Sequence, residues 1–303
     1  MDLDFFKKVR ILDGGMGQEL LARGMKPKGT LWSASALLDE KYHQLLFDTH
    51  LDFIKAGAEV IITTTFASRK MRLKENNCED KFEYINKKAG QIAQKTKDNF
   101  PNVLIGGGLP PQNYTYRADT RSNDEIKNDF NSQAKLINPY IDFFYFDVLS
   151  SINEIKLGIE SIKEFNKPYL VGVHISEGTK LPSGEKISEL RDSFDTDKLL
   201  GLTLSCVSPE NFELNINEIK NLGMFFGFKL NGFIKTNPIP KFDKNNKKTE
   251  NPNKLLGIRK DLTPKKMSKF AKKFKDEGAT ILGGCCETKP QHIKEMAKLV
   301  KII

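Results

Sequence analysis

The chain has 303 residues, of which 39% are hydrophobic and 29% charged, and its formal net charge is +9. This composition is typical of a soluble globular protein, and no apolar run approaches the roughly 18 residues of a membrane span. The first residues lack the apolar core of a signal peptide, and four cysteines, two of them adjacent, fit a reducing compartment better than a disulfide framework. We therefore expect a cytoplasmic protein without a membrane partner.

The positive charge raises the question of nucleic-acid binding. The lysines, however, are interspersed with acidic residues, as in residues 272–277, and no nucleic-acid-binding motif accompanies them. Solvent-exposed helix faces explain this pattern better than a nucleic-acid surface does. We therefore expect no nucleic-acid partner.

Short apolar runs typical of β-strands alternate along the chain with helix-like stretches. Such an alternation of eight strands with helices predicts a single-domain α/β protein, a (β/α)8 TIM barrel over residues 1–303. In this fold the chemistry lies at the carboxyl ends of the strands. The strands are expected at 10–12, 60–62, 103–105, 143–146, 169–171, 202–204, 224–226 and 281–282.

Helix signals fall between these runs. Helices are predicted at 42–56 and at about 80–98, and further helices are expected to start after a serine, asparagine or threonine cap. A polar segment rich in lysine, asparagine and proline follows the seventh run, at about 231–262, and is interpreted as a long loop insertion. The expected caps are Ser122 or Asn123, Ser150 or Ser151, and Thr263.

Three of the four cysteines follow predicted strands. The apolar run at 281–282 ends in two glycines, which Cys285 and Cys286 follow, and Cys206 comes directly after the run at 201–205. Adjacent side chains of a regular strand point to opposite faces, but the glycines permit the irregular backbone that lets both thiols reach one point. If the two strands are near neighbours, three thiolates with no fourth protein ligand would form a zinc site of the catalytic type. The alternative is that these cysteines are small buried hydrophobes.

Several motifs together resemble the zinc-dependent homocysteine S-methyltransferases, in the order found in that family and nearly from end to end of the chain. The resemblance implies a methyltransferase of the EC 2.1.1 class that acts in methionine biosynthesis. It implies Zn²⁺ held by Cys206, Cys285 and Cys286, with homocysteine as the acceptor. The donor would be a small sulfonium or quaternary ammonium compound: S-methylmethionine, S-adenosylmethionine, betaine or dimethylsulfoniopropionate. The motifs are Asp13-Gly14-Gly15-Met16-Gly17, the run 57–66, Ser205-Cys206 and the stretch 283–288.

The same resemblance implies the residues that bind the acceptor. Asp13 would hold the amino group of homocysteine, while the backbone amides of Gly14 and Gly15 would hold its carboxylate. Asp147 stands where the family usually has a glutamate that also contacts the amino group, and it is shorter by one methylene. The alternative role is a turn with a helix-capping aspartate for Asp13 and a strand-end surface acid for Asp147.

On the donor side the resemblance implies an aromatic wall. Trp32, the only tryptophan, would lie in the loop that covers the donor, where a cation over the indole face gains about 0.5 to 2 kcal/mol. Phe66 aligns with a tyrosine of the betaine-using enzymes and would form a second wall. Packing in the core is the alternative for both rings.

The chain also departs from the family pattern. Ser205 replaces the asparagine before the first metal-binding cysteine, and Glu287 replaces a glycine after the cysteine pair. The segment that begins at Lys229 retains only Asn231 of the family's motif, and Val148 replaces a second tyrosine of the betaine users. These changes preserve the metal ligands but leave the donor and the acceptor open.

Two rival hypotheses follow from these departures. One is an enzyme of the same fold with another thiol or selenol as the acceptor. The other is a non-catalytic basic zinc protein that binds nucleic acid. Tyr114 and Tyr116 are expected to border the pocket, while Cys78 and the histidines are expected to lie outside it. The sequence leaves the oligomeric state open, a homo-oligomer included.

Overall fold

The computed structural model describes residues 1–175, 178–234 and 256–300. Within these ranges, eight parallel strands form one sheet in the order β1-β8-β7-β6-β5-β4-β3-β2. The predicted (β/α)8 barrel is therefore confirmed. The strands are β1 (Arg10–Ile11), β2 (Val60–Ile62), β3 (Leu104–Leu109), β4 (Phe143–Leu149), β5 (Tyr169–Val173), β6 (Leu199–Val207), β7 (Phe226–Leu230) and β8 (Ile281–Gly284).

Helices cover the outside of the sheet, and apolar side chains from both layers form the main core. Between β5 and β6 the described residues form the 3-10 helix Ile187–Ser193 and no α-helix, so the alternation of strand and α-helix is interrupted there. The α-helices are α1 (Met16–Ala22), α2 (Ser35–Leu38), α3 (His43–Lys55), α4 (Lys70–Lys74), α5 (Phe82–Asn99), α6 (Asn123–Ile137), α7 (Ile152–Ile162), α8 (Pro209–Lys220), α9 (Pro264–Asp276) and α10 (Pro290–Ala297). None of the helices in these ranges is long and apolar enough to cross a membrane.

The helix starts follow the predicted caps. Ser122 caps α6 in a capping box with Glu125, and Ser151 and Thr263 cap α7 and α9. Each of these side chains accepts a hydrogen bond from a backbone N–H of the first turn, which that turn cannot satisfy internally. Most of the predicted 231–262 insertion, residues 235–255, lies outside the described residues.

The barrel closes at a seam between β1 and β2. Leu12 and Val60 form an isolated parallel bridge, and the amide of Asp13 donates to the carbonyl of Val60 at 3.0 Å. The amide of Ile62 donates to Oδ2 of Asp13 at 2.8 Å. A carboxylate therefore takes the place of a backbone acceptor at the seam.

The interior of the barrel is apolar toward the amino ends of the strands. Phe6, on an N-terminal 3-10 helix, is fully buried there and lies edge-on to Phe143, with a centroid distance of 6.5 Å. On the wall, β7 passes so close to β8 that a Cβ on Gly227 would overlap the carbonyl oxygen of Ile281. Only glycine allows this approach.

The prediction of the seventh strand is wrong in its bounds. The apolar run at 224–226 was expected to be the strand, but β7 spans Phe226–Leu230 and contains a lysine, Lys229. Lys229 is buried at the carboxyl end of the barrel, and a charged residue in the sequence does not indicate a buried strand position. The strand was therefore placed two residues too early.

Two strands become irregular at their carboxyl ends. The register shifts between Phe146 and Leu149 of β4 and between Ser205 and Val207 of β6. Within these bulges Val148 has φ +67° and Cys206 has φ +56°. Both angles lie in the left-handed region, which residues other than glycine rarely adopt. Bulges re-aim side chains, and both of these bulges lie at the functional end of the barrel.

Candidate active site

A cavity of about 370 Å³ opens at the carboxyl ends of the strands. It combines thiols, carboxylates, a lysine and aromatic rings, as expected of a polar catalytic site on this fold. Most of the predicted site residues border it. The lining includes Asp13, Gly14, Gly15, Trp32, Phe66, Tyr114, Tyr116, Asp147, Val148, Cys206, Lys229, Cys285 and Cys286.

Three cysteine sulfurs converge in this cavity. The Sγ atoms of Cys206, Cys285 and Cys286 lie within 4.8 Å of one another, and they are the metal-ligand cluster found among the described residues. A tetrahedral ion with Zn–S bonds of about 2.3 Å holds its sulfurs about 3.8 Å apart. The donor set and its spacing therefore fit a zinc ion, with the protein supplying three of four ligands.

The convergence depends on local backbone geometry. The β6 bulge turns Cys206 inward, and the amide of Cys285 donates to the carbonyl of Leu230 at 2.7 Å, which ties the cysteine loop to β7. The amide of Gly232 in turn donates to the carbonyl of Cys286 at 3.0 Å. The loops after β7 and β8 thus hold each other in place.

Hydrogen bonds differentiate the three thiols. Bonds from Cys285 and Cys286 hold the pKa of Cys206 well below that of an ordinary thiol, with smaller contributions from Tyr116 and Asn231. The Tyr116 hydroxyl lies 3.0 Å from Sγ of Cys206, and Nδ2 of Asn231 lies 3.7 Å from it. The bond with Cys206 raises the pKa of Cys285 to about 12. The three sulfurs therefore form one hydrogen-bonded group, which Tyr116 and Asn231 contact at Cys206.

Asn231 and Ser205 lie behind the wall of the cavity. Both are fully buried, and Asn231 contacts Cys206 while its Oδ1 accepts the amide of Phe233 at 3.1 Å. The hydroxyl of Ser205 lies 2.6 Å from that of Tyr145. The structure thus places these two predicted substrate-binding residues in support of the site rather than at its surface.

Two acids and a lysine form a second group, which we call the acid pole: Asp13, Asp147 and Lys229. Nζ of Lys229 lies 3.7 Å from Oδ2 of Asp147, and both side chains are about nine-tenths buried. Burial raises the pKa of Asp13 to about 7, although Lys229 opposes the rise. Burial alone would lower the pKa of Lys229, but the facing carboxylate of Asp147 and its neighbours raise it above the ordinary value, so the ammonium remains charged.

Lys229 is a buried residue of the cavity wall that the sequence did not reveal. It was noted only as a departure from the family motif, in a segment that was not predicted as a strand. The signal in the sequence that could have identified Lys229 is its position between Phe228 and Leu230, two apolar residues that are buried in β7. A lysine in that pattern indicates a charge that needs a buried partner.

The two glycines after Asp13 bring the β1 loop close to the cysteine loop. The amide of Gly15 donates to the carbonyl oxygen of Thr288 at 2.9 Å and lies 3.1 Å from its hydroxyl oxygen. A Cβ on Gly14 would lie 2.7 Å from the ring of Phe53. The amide of Gly15 is therefore already bonded to Thr288. Of the two backbone amides expected to hold the carboxylate of homocysteine, only that of Gly14 is left.

Two rings form the predicted aromatic wall. The Trp32 and Phe66 rings are perpendicular, with centroids 6.2 Å apart, and both pack against the cluster that contains Cys206. The indole N–H of Trp32 donates to Oε1 of Gln18 at 3.1 Å. A Cβ on Gly17 would overlap the indole, so this glycine makes room for Trp32. Both rings are half-buried beside the sulfurs.

The remaining predicted assignments concern residues outside the site. Cys78 is buried in a separate apolar cluster, away from the three converging sulfurs. His50 and His174 are fully buried, and neither belongs to the described metal-ligand cluster. Glu287 accepts a hydrogen bond from the side-chain amide of Gln18, so its added charge is engaged beside the site.

Known proteins resemble this chain in sequence and in fold. The family model for homocysteine S-methyltransferase matches residues 10–300. The chain is 24% identical to homocysteine S-methyltransferase 1 of Saccharomyces cerevisiae, over 97% of this chain and 94% of that protein. It is 22% identical to the selenocysteine methyltransferase of Astragalus bisulcatus, over 97% and 93%. Its fold resembles the metallated form of the homocysteine methyltransferase MmuM from Escherichia coli, with a TM-score of 0.77, 18% identity and 96% of each chain covered.

Proposed function

The chain belongs to the homocysteine S-methyltransferase family, and on that premise we propose that it methylates the thiol of homocysteine to form methionine. The methyl group comes from a small sulfonium or quaternary ammonium compound, such as S-methylmethionine, S-adenosylmethionine, betaine or dimethylsulfoniopropionate. The observation that carries the proposal is the convergence of three cysteine sulfurs within 4.8 Å, in one cavity with the acid pole and the aromatic wall.

We assign Zn²⁺ as the metal, held by Cys206, Cys285 and Cys286. Three cysteine ligands leave one tetrahedral position open, which is the pattern of catalytic rather than structural zinc sites. When bound, the metal would accept the substrate thiol and keep it deprotonated at neutral pH. The metallated form of the Escherichia coli structural neighbour supports a metal in this fold.

The residues of the chain orient the two substrates. Oδ1 of Asp13 is buried and has no hydrogen-bond partner among the described residues, so it can accept the ammonium group of homocysteine. Tyr116 and Asn231 hold Cys206 in place by hydrogen bonds. The faces of Trp32 and Phe66 favour a cationic donor centre beside the sulfurs.

The reaction is a displacement at carbon. The sulfur of homocysteine forms a bond to the donor methyl carbon as the bond from that carbon to the onium centre breaks. The electron pair of the broken bond stays on the donor, which leaves as a neutral thioether or amine. The thiol proton is released when the acceptor binds, so no base is required in the transfer step.

A second acceptor remains a candidate. Similarity to a selenocysteine methyltransferase and the replacement of the usual glutamate by Asp147 favour a thiol or selenol other than homocysteine. A shorter acid leaves more room at the acid pole and changes the reach to the acceptor's amino group. Offering homocysteine and selenocysteine in competition would distinguish the two.

The test is methionine formation from homocysteine, followed by mass spectrometry with each donor offered separately. We expect methionine with one or more donors, and we expect a zinc chelator to abolish it. The Cys78→Ser variant is the matched control, because this cysteine lies outside the site. Zinc-loaded protein that forms no methionine from any donor would refute the proposal. We further propose a cytoplasmic location, as the sequence predicts.

A further inference from the structure

Lys229 has unusual surroundings for a buried cation. Its side chain is 6% exposed, and Oδ2 of Asp147, with which it forms an ion pair, lies 3.7 Å away, beyond normal hydrogen-bond distance. Nζ also lies 5.2 Å from the centroid of the Tyr145 ring. This ammonium makes no hydrogen bond to the described residues, although it carries three N–H donors.

The two carboxylates of the acid pole are incompletely bonded as well. Oδ1 of Asp13 and Oδ1 of Asp147 are both buried, and neither has a hydrogen-bond partner among the described residues. Unpaired polar atoms in a buried site are costly, and native proteins tolerate them where a ligand completes the bonding. The acid pole therefore offers donors from one cation and acceptors from two anions, beside Cys285 in the same cavity.

An α-amino-acid head complements this arrangement. Its ammonium group can donate to Oδ1 of Asp13, while its carboxylate can accept from Nζ of Lys229. The alternative is that backbone amides bind this carboxylate, but the amide of Gly15 already donates to Thr288. The lysine ammonium pairs a full positive charge with the carboxylate, whereas a backbone amide is an uncharged donor.

We propose that Lys229 binds the carboxylate of the acceptor and thereby selects thiols that carry an α-amino-acid head. This inference rests on the proposed methyl transfer to a thiol and adds a specificity-determining residue to it. The resemblance to the family assigns the carboxylate to backbone amides, so Lys229 is a feature of this chain. Asp147 positions the lysine through their ion pair.

The alternative role for Lys229 is structural, as the cation that neutralises Asp147 in the wall. The two roles differ in what they predict for acceptors that lack one group. A structural lysine affects every acceptor equally when it is replaced. A carboxylate-binding lysine affects only acceptors that have a carboxylate.

The experiment uses three thiols of equal reach and one donor. Homocysteine has both charged groups, 4-mercaptobutyrate lacks the ammonium, and 3-aminopropane-1-thiol lacks the carboxylate. We expect Lys229→Met to lower kcat/KM for homocysteine and 4-mercaptobutyrate on the order of 10- to 100-fold, which is the value of one charged hydrogen bond. The loss in kcat/KM for 3-aminopropane-1-thiol should be smaller by a factor of at least about ten. Lys229→Arg should recover part of the loss.

The control is Lys167→Met, which removes a half-buried lysine that donates to the carbonyls of Asn138 and Ile141, away from the cavity. It should leave the ranking of the three thiols unchanged. An equal loss for all three thiols in Lys229→Met would overturn the inference while the methyl transfer stands. No turnover of any thiol by the unaltered protein would instead refute the proposed function.

A binding measurement on the unaltered protein covers the case in which Lys229→Met does not fold. Calorimetry would compare methionine with 3-(methylthio)propylamine, which lacks the carboxylate. We expect the amine to bind on the order of 10- to 100-fold more weakly. A difference below about twofold would overturn the inference.

Discussion

Glu154 gives the protein a stability that falls as the pH rises. The residue lies in the first turn of α7 and is fully buried. Its Oε2 accepts hydrogen bonds from the amide of Ser150 at 3.2 Å and the hydroxyl of Ser151 at 3.0 Å. Burial nevertheless raises the pKa of Glu154 from 4.5 to about 8. The carboxyl is therefore protonated in the folded protein at neutral pH.

The sign and size of the effect follow from these two pKa values. Below pH 4.5 the carboxyl is protonated in both the folded and the unfolded chain. Between pH 4.5 and about 8 the unfolded chain releases the proton while the folded chain keeps it, so the free energy of unfolding decreases with rising pH. The difference between the two pKa values corresponds to a loss of about 5 kcal/mol in the free energy of unfolding, and this loss is complete above pH 8.

The substitution Glu154→Gln removes this titration and keeps an acceptor for Ser150 and Ser151. We expect the variant to match the unaltered protein within about 1 kcal/mol near pH 5, since its polar contacts are similar. Near pH 9 it should be more stable by about 3 to 5 kcal/mol. Urea unfolding followed by circular dichroism across this pH range measures the difference.

Glu160→Gln is the matched control on the same helix. Glu160 is exposed and pairs with Lys127 at 2.5 Å, and that bond lowers its pKa. Its replacement should bring no gain in stability at high pH. If Glu154→Gln and the unaltered protein showed parallel stability across the pH range, the buried carboxyl would not titrate as inferred.

Three further substitutions test the site and the barrel. Cys285→Ser should lower zinc affinity by more than about 100-fold, since residues that only support metal ligands already contribute about 10- to 100-fold. The control Cys78→Ser should retain one zinc. Equal zinc content of the two variants by mass spectrometry would remove Cys285 from the ligand set. Trp32→Ala should raise KM for the donor by roughly 2- to 30-fold and leave KM for homocysteine unchanged, and an equal rise in both would mean that the indole only packs. Gly227→Ala should destabilise the fold by roughly 3 kcal/mol or more, because the new methyl group meets the backbone of Ile281; an unchanged thermal midpoint would contradict the close approach of β7 and β8.

The sequence predicted the barrel from local patterns, and the resemblance to the family identified the three cysteines that converge. Apolar runs locate strands, and parallel strands bring their carboxyl ends together, so Cys206 and Cys285 had to lie at one end of the sheet. The bulges at Val148 and Cys206 could not be predicted. They arise from register shifts between neighbouring strands, which no local pattern of residues encodes.

The acid pole shows a different limit. Asp13 and Asp147 were identified from resemblance, but the partner they share comes from β7, more than 80 residues after the later of the two. A buried lysine breaks the apolar pattern on which strand prediction depends, so Lys229 misled the prediction of β7 and hid its own role. Ser205 and Asn231 were predicted to bind substrate, but they lie behind the wall of the cavity, because packing decides whether a side chain faces the cavity or the protein.

The seam between β1 and β2 has a consequence for motion. Asp13 accepts the amide of Ile62 with Oδ2, while its Oδ1 has no hydrogen-bond partner among the described residues. The side chain that bonds across the seam is therefore also the one proposed to receive the acceptor. Segments with few backbone bonds open first in native proteins and exchange their amide hydrogens fastest. Acceptor binding should therefore slow hydrogen exchange at Ile62, and Asp13→Ala should accelerate it even without substrate. The acceptor contact proposed for Asp13 would thus link the affinity for the acceptor to the opening of the sheet at Ile62.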